Sequence, residues 1–400
     1  MRPRVSEEIV RTAAAGIRAV GAGNTALDEF LDTVRPEIRR SVSHLLFCYF
    51  RYRRFIDGEI DALVAKAPKP PVAALLRAAT TQLRFQNALA PESAVNIAVD
   101  EAKRRGAGGL VNAVLRKIAA SKSAPPDDRK LLLPPELLAA WEKHLSPEAL
   151  GEMLEALFTE PLFAFRCCRD AAPPEDATAL PGFGKFRFFA APDPQELLNS
   201  EAFRRGDYYI HDPATSLAPS LPDYTQVNSA LDLCAAPGGK TLMLAERLRK
   251  GAKLVAADRS EKRQERTREN CRLHHVAAEI VAAEPEELSG SFDLVLADVP
   301  CGNSGVFRRR PDAMWRFSPD RLKELAALQS RILDAAAKLV SPGGQLVYST
   351  CSIEPVEDDG AVGAFLARNK DFSLLKSRLL LPSLVNDGAF AALLVRRRDS

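Results

Sequence analysis

No run of about eighteen apolar residues occurs in the 400-residue chain, so no segment reads as a membrane-spanning helix. The first residues, MRPRVSEEIVRTAAAG, also lack the apolar core of a signal peptide. Both absences predict a cytoplasmic protein. Histidine is scarce, at five residues, and the seven cysteines (Cys48, Cys167, Cys168, Cys234, Cys271, Cys301 and Cys351) contain no Cys-x-x-Cys. That spacing argues against a metal site and against a disulfide framework, and it leaves the thiols to pack or to react. The glycine fingerprint of dinucleotide folds, Gly-x-Gly-x-x-Gly, is missing too, which counts against a nicotinamide dehydrogenase.

Net charge is small at +3, but it is unevenly placed. Residues 1–120 hold 19 Lys+Arg against 12 Asp+Glu, a local +7, which leaves −4 for the remaining 280. A basic first domain on a near-neutral body suits an anionic partner, although a solvated helical surface would read the same way.

What is present falls into successive textures. Residues 1–122 read as helix after helix, with no strand signal, and PEIRRSVSHLLFCYFRYRRFID reads as one continuous helix within them. Residues 123–136 carry the prolines and charges of a linker. Residues 137–225 mix a helical stretch with strand-like runs, PLFAFRCCRD and KFRFFAA, and predict a small α+β connecting domain. From 226 to 400 strands alternate with helices, which predicts an α/β doubly wound, mostly parallel sheet. AFAALLVRR would be a late edge strand.

The first of these strands runs into LDLCAAPGGK. Gly238 and Gly239 at the mouth of a helix let a ligand approach free backbone N–H groups, and the turn Cys234, Ala235, Ala236, Pro237, Gly238, Gly239 and Lys240 is the candidate cofactor cradle. Cys234 itself is expected to pack. Asp258, followed by Arg259, ends the second strand, where an acid can hold a ribose; the competing role for Asp258 is a helix N-cap. Glu284 ends the third, near where an adenine would lie. The set suits S-adenosylmethionine.

Asp298 and Cys301 follow the fourth strand in ADVPCG, and Cys351 follows the fifth in YSTCSIEP. Reacting groups of open α/β sheets gather at the carboxyl ends of strands. A methyl donor, an acid and two thiols fit methylation at carbon 5 of a pyrimidine. That carbon is a poor nucleophile until a thiolate adds at carbon 6, and an acid can stabilise the charge that develops on the ring. Arg308, Arg309, Arg310 and Arg316, with Trp315 among them, are candidates to grip phosphates and stack on a base that is flipped out or unpaired.

LDLCAAPGGKT, ADVPCGNSGVFRRRPDAMW and YSTCSIEPVEDD resemble three signature blocks of the RNA cytosine-5 methyltransferases. APESAVNIAVDEAKRRGAGGLVNAVLRK resembles the NusB-like RNA-binding domain, and YYIHDPATSL a short block before the catalytic domain. The combination resembles the bacterial small-subunit (16S) ribosomal RNA cytosine-5 methyltransferases of the Sun/Fmu type. The resemblance implies an all-α NusB-like domain, a Rossmann-like methyltransferase domain, S-adenosylmethionine as cofactor and ribosomal RNA as partner. It implies Cys351 as nucleophile, Cys301 as the group assisting product release, Asp298 at the base with Lys240 nearby, and Asp258 and Glu284 at the cofactor. Three positions depart from the family habit: Glu284 stands for Asp, Met314 for a basic residue and Asp358 for Asn. Gly302 also stands where serine usually follows the Pro-Cys pair. The same chemistry on transfer RNA, and a non-catalytic RNA-binding assembly factor, are the alternatives. Nothing in the sequence demands more than a monomer.

Overall fold

The computed structural model describes residues 3–23, 25–86 and 89–398. These form two compact units: residues 1–154 together with 307–318, and residues 155–306 together with 319–400. The division at Leu154 falls within a helix, and the first unit recruits a second segment from far along the chain.

The first unit is helical: α1 (Pro3–Gly21), α2 (Leu27–Asp32), α3 (Pro36–Arg51), α4 (Arg53–Asp61), α5 (Pro70–Phe85), α6 (Pro91–Lys103), α7 (Gly108–Ala120), α8 (Pro135–Trp141) and the start of α9 (Pro147–Phe158). Proline opens α3, α5 and α6, where its missing N–H costs nothing and its fixed φ suits the first turn. Apolar residues at helical spacing, such as Val42, Leu45, Leu46 and Tyr49 on α3, close onto Ile9, Val10, Ala13 and Ile17 of α1 and Leu75, Leu76 and Ala79 of α5 in one core. The single helix expected over PEIRRSVSHLLFCYFRYRRFID is two, because Tyr52 leaves the helical region at φ −111° and ψ 23°. Its ring stacks on Phe85 at 4.6 Å, an interaction that no glycine or proline announces in the sequence. The expected linker is also partly packed, since Leu132 and Leu133 are buried.

The second unit carries two sheets. The smaller holds β1 (Ala164–Cys167), β2 (Thr178–Leu180), β3 (Arg187–Ala190) and β4 (Tyr208–Ile210) in the order β2-β3-β1-β4, every pairing antiparallel. Short helices α10 (Pro194–Asn199), α11 (Glu201–Arg204) and α12 (Leu217–Ser220) complete this region.

The larger sheet alternates with helices: β5 (Ser229–Leu233), α13 (Gly239–Arg247), β6 (Lys253–Asp258), α14 (Glu261–Leu273), β7 (Glu279–Ala282), β8 (Phe292–Asp298), α15 (Pro319–Leu339), β9 (Val340–Thr350), α16 (Asp359–Arg368), β10 (Phe372–Leu380) and β11 (Ala389–Arg396). Its order is β10-β11-β9-β8-β5-β6-β7. Strands β5 to β9 pair in parallel, while β11 and β10 run antiparallel, so the sheet is mixed and mostly parallel. The order reverses between β5 and β8, and the carboxyl ends of those two strands flank the crevice where open α/β sheets bind ligands. One expectation needs correction. AFAALLVRR is not an edge strand, because β11 lies between β9 and β10. Its continuous apolar run fits a strand covered on both faces. The edge is β10, whose sequence FSLLKSRLL is exposed along most of its length.

Among the described residues, no helix is long and apolar enough to cross a membrane, and no group of three or more His, Cys, Asp or Glu could hold a metal ion.

Candidate active site

The turn after β5 owes its shape to two left-handed residues, Cys234 at φ 64° and Gly238 at φ 101°, and to a cis peptide between Ala236 and Pro237. Gly238 bears such a φ without a side-chain penalty. Gly239 answers a different demand. A Cβ there would stand 2.8 Å from the His211 ring and 3.2 Å from Tyr209, so only glycine lets the turn lie this close to that wall. The N–H groups of the first turn of α13 are left without helical partners at the same place. Burial pushes the Cys234 thiol up to about 12, which fits a packing thiol and not a reactive one.

Asp258, the last residue of β6, is buried. It accepts from the N–H of Ala236 at 3.3 Å and of Ser260 at 3.0 Å, and pairs with Arg263 at 3.3 Å. It does not cap α14; Ser260 does, accepting from the N–H of Arg263. A buried acid at this strand end, tied to the Gly-rich turn and spared the capping task, fits the ribose of S-adenosylmethionine. Arg259 beside it is exposed. Glu284 is exposed and lies beyond the end of β7, which stops at Ala282, and its N–H donates to Glu287 at 2.9 Å.

Asp298 closes β8 and faces two donors. Lys240 Nζ reaches one carboxylate oxygen at 2.6 Å, and Ser349 Oγ donates to the other at 2.7 Å. Burial works against the Lys240 ammonium, but the neighbouring Asp298 outweighs it and holds the lysine pKa above its usual value. The β5–β8 switch point thus joins the cofactor turn to the acid through one ion pair.

Cys301 and Cys351 come together with sulfurs 3.3 Å apart, although fifty residues separate them. The hydrogen bond to Cys351, and then burial, pushes the Cys301 thiol well up. Two residues absent from the sequence-derived set hold this pair. Asn303 sits at φ 61°, a conformation asparagine tolerates, and accepts from the Cys351 thiol at 3.4 Å while its amide donates to the Cys301 carbonyl at 3.0 Å. Glu357 is fully buried between the two loops. The signal for Asn303 was the turn-forming string GNSG; that for Glu357 was only an acid among acids. Backbone bonds then fasten the loops: Gly305 N–H to Cys351 O at 2.9 Å, and Gly388 N–H to Gly305 O at 2.7 Å. A Cβ on Gly305 would lie 2.7 Å from that same Cys351 oxygen. A small cavity opens here, lined by Asp212, Lys240, Asp298, Thr350, Cys351 and Phe390 among others.

The arginine-rich segment is placed otherwise than expected. Residues 307–318 belong to the helical unit. Arg308 is buried there, and its carbonyl accepts from Arg51 at 2.6 Å. Trp315 packs on the helical core, donates its Nε1–H to the carbonyl of Phe50 at 2.6 Å and carries the Arg53 guanidinium over its ring at 4.7 Å. Arg310 pairs with Asp28 and Arg316 with Asp312, both at 3.0 Å, while Arg309 is half-buried. Met314 is buried, so a basic side chain at that position would have no water to face.

A model of the NusB family matches residues 11–120, and one described as 16S rRNA methyltransferase RsmB/F matches residues 217–391. The chain is 30% identical to the ribosomal RNA small subunit methyltransferase B of Klebsiella pneumoniae, an alignment covering 92% of this chain and 94% of that one. The Pseudomonas syringae protein of the same name is also 30% identical, over 92% of this chain and 87% of its own length. The solved structure "Crystal Structure of PH0851" superposes with a TM-score of 0.78 at 23% identity, covering 98% of this chain and 99% of that one, and shares the fold. The motifs, the paired thiols beyond the ends of β8 and β9 and these matches agree: the chain belongs to the RsmB/F family of S-adenosylmethionine-dependent RNA cytosine-5 methyltransferases with a NusB amino-terminal domain.

Proposed function

We propose that this protein methylates carbon 5 of one cytosine in small-subunit ribosomal RNA through a covalent adduct between Cys351 and carbon 6 of the base. The observation that carries the reading is the approach of Cys351 to Cys301 at 3.3 Å, beside the Lys240–Asp298 pair at 2.6 Å. S-adenosylmethionine, when bound against the turn 234–240 and Asp258, supplies an electrophilic methyl group. The protein's residues make the base able to take it. The Cys351 thiolate adds to carbon 6, so that carbon 5 becomes the nucleophilic end of an enamine. Addition places a negative charge on the ring; Asp298, fixed by Lys240 and Ser349, meets its polar edge, and a proton passed from the Lys240–Asp298 pair to ring nitrogen 3 neutralises that charge. After methyl transfer a base takes the carbon 5 proton, the freed electron pair restores the double bond between carbons 5 and 6 and expels the sulfur, Cys351 leaves as a thiolate, and ring nitrogen 3 returns its proton to the Lys240–Asp298 pair. Cys301 stands next to the sulfur that must depart and assists that release.

The names of the relatives support ribosomal RNA over other RNAs. The test is transfer of labelled methyl from S-adenosylmethionine to unmodified small-subunit RNA, followed by nucleoside analysis. Label in 5-methylcytidine at one site is expected from the wild type, and loss of label with S-adenosylmethionine binding intact from Cys351→Ala. Label on transfer RNA alone would overturn the substrate; full activity of Cys351→Ala would overturn the nucleophile.

A further inference from the structure

We propose that Glu357 is a positioning residue for the two-thiol chemistry, a single carboxylate that clamps the loop after Cys301 to the loop after Cys351. This deepens the reading above and rests on it. Glu357 lies just ahead of α16 and is fully buried. Its oxygens accept from the N–H of Gly302 at 2.9 and 3.1 Å, from Ser352 Oγ at 2.6 Å and from Gln329 Nε2 at 2.8 Å. Gly302 is the residue after one thiol and Ser352 the residue after the other. Gln329, on α15, also donates to the carbonyl of Pro300 at 3.0 Å, so the same network holds Cys301 from both sides. The Glu357 backbone is fixed in turn, its carbonyl accepting from Tyr348 Oη at 2.6 Å.

Three elements therefore converge on one side chain: the β8 loop, the β9 loop and α15. The arrangement also accounts for Gly302, where serine is the family habit. A Cβ at that position would come 2.9 Å from a Glu357 oxygen, so glycine lets the carboxylate sit against the loop backbone. Glu357 touches neither sulfur in this network; it acts by setting where they stand.

The test uses the full-length protein with Glu357→Ala, Glu357→Gln and Ser352→Ala. It reads kcat and KM for methyl transfer, S-adenosylmethionine affinity, and the rate at which diamide joins Cys301 to Cys351. In that last step two thiols give up two electrons and two protons to the azo oxidant and form one disulfide. Loosening the clamp is expected to lower kcat by roughly 30-fold in Glu357→Ala, with KM and cofactor affinity within about threefold of wild type. The disulfide rate is expected to fall roughly tenfold. Glutamine accepts from Gly302 and donates to Ser352, so Glu357→Gln recovers most of both. Ser352→Ala, which removes one bond, falls between. Normal turnover and a normal disulfide rate in Glu357→Ala would overturn the clamp. So would equal loss in Glu357→Ala and Glu357→Gln at an unchanged disulfide rate. If Glu357→Ala does not fold, a wild-type result from Ser352→Ala overturns the proposal by itself. The disulfide readout needs no RNA, so the clamp is judged even where methyl transfer fails. Cys301→Ala run alongside is expected to accumulate a protein–RNA adduct stable to denaturation; its absence there, with normal turnover, counts against the role of Cys301 and not against Glu357.

Discussion

The departure at residue 358 has a physical account. Asp358 is 2% exposed, one oxygen accepts from Thr350 Oγ1 at 2.8 Å, and the other has no partner. Burial pushes its pKa up to about 9, with Glu357, Glu354 and Asp359 adding to the effect against the pull of Thr350. At neutral pH it is therefore an uncharged acid, isosteric with the asparagine of the family habit. The linkage has a definite sign. The unfolded chain releases this proton near pH 4, the folded one near 9, so the group's contribution to stability is full below pH 4 and drains away as pH rises towards 9. Asp358→Asn removes that slope. Urea unfolding at pH 6 and pH 9 should show the variant gaining roughly 3–4 kcal/mol on the wild type at the higher pH. At this scale the sequence was legible where chemistry needs a rare residue in a fixed frame: the two thiols, Asp298 and Lys240 meet as their motifs imply. It was mute on Asn303 and Glu357. Nothing in a local string says which of several acids will be folded between two loops.

At the scale of elements, the strand-and-helix alternation of the catalytic half was readable because parallel strands leave buried apolar runs between amphipathic helices. The errors fell where the period gives no answer. The apolar run of β11 reads equally as edge or interior, and its antiparallel place between β9 and β10 is a matter of pairing across distant sequence. The break at Tyr52 is a tertiary choice, made by the ring of Phe85 and not by a helix breaker. The turn into α13 is the element most tightly specified. Gly239→Ala sets a methyl group against the ring of His211, which desolvation keeps well below the usual imidazole pKa and hence neutral. The turn must then retreat from its wall. Isothermal titration is expected to show S-adenosylmethionine affinity reduced by at least about tenfold, a loss of roughly 1.4 kcal/mol, while the melting temperature changes little.

Across the whole molecule, composition foretold a helical basic region before an α/β body, but not the membership of the units. Residues 307–318 follow the Pro-Cys loop in sequence and fold with helices laid down nearly three hundred residues earlier, as Arg310 on Asp28 and Trp315 on Phe50 record. A string of arginines around a tryptophan reads like an RNA grip, and sequence alone does not separate that from the docking of one segment into a bundle. The two roles differ in what a truncation does. Trp315→Ala is expected to destabilise the protein by about 2–3 kcal/mol, through lost packing and an orphaned Phe50 carbonyl. RNA affinity measured well below the melting temperature should be unchanged; a large fall in affinity at constant stability would restore the grip.

That discontinuous membership also governs how the molecule can be taken apart. A cut near residue 136 or 154 severs the chain once, but the helical unit is built from two stretches, and the second is encoded inside the other unit's sequence. Residues 155–400 made alone would carry Phe307 and Trp315 without the helices they pack on, an invitation to aggregate. The helical unit cannot be traded between proteins as a cassette unless its insert travels too. Reassembly from two separately made fragments, or replacement of 307–318 by a short flexible bridge, is the route by which either half becomes a molecule in its own right.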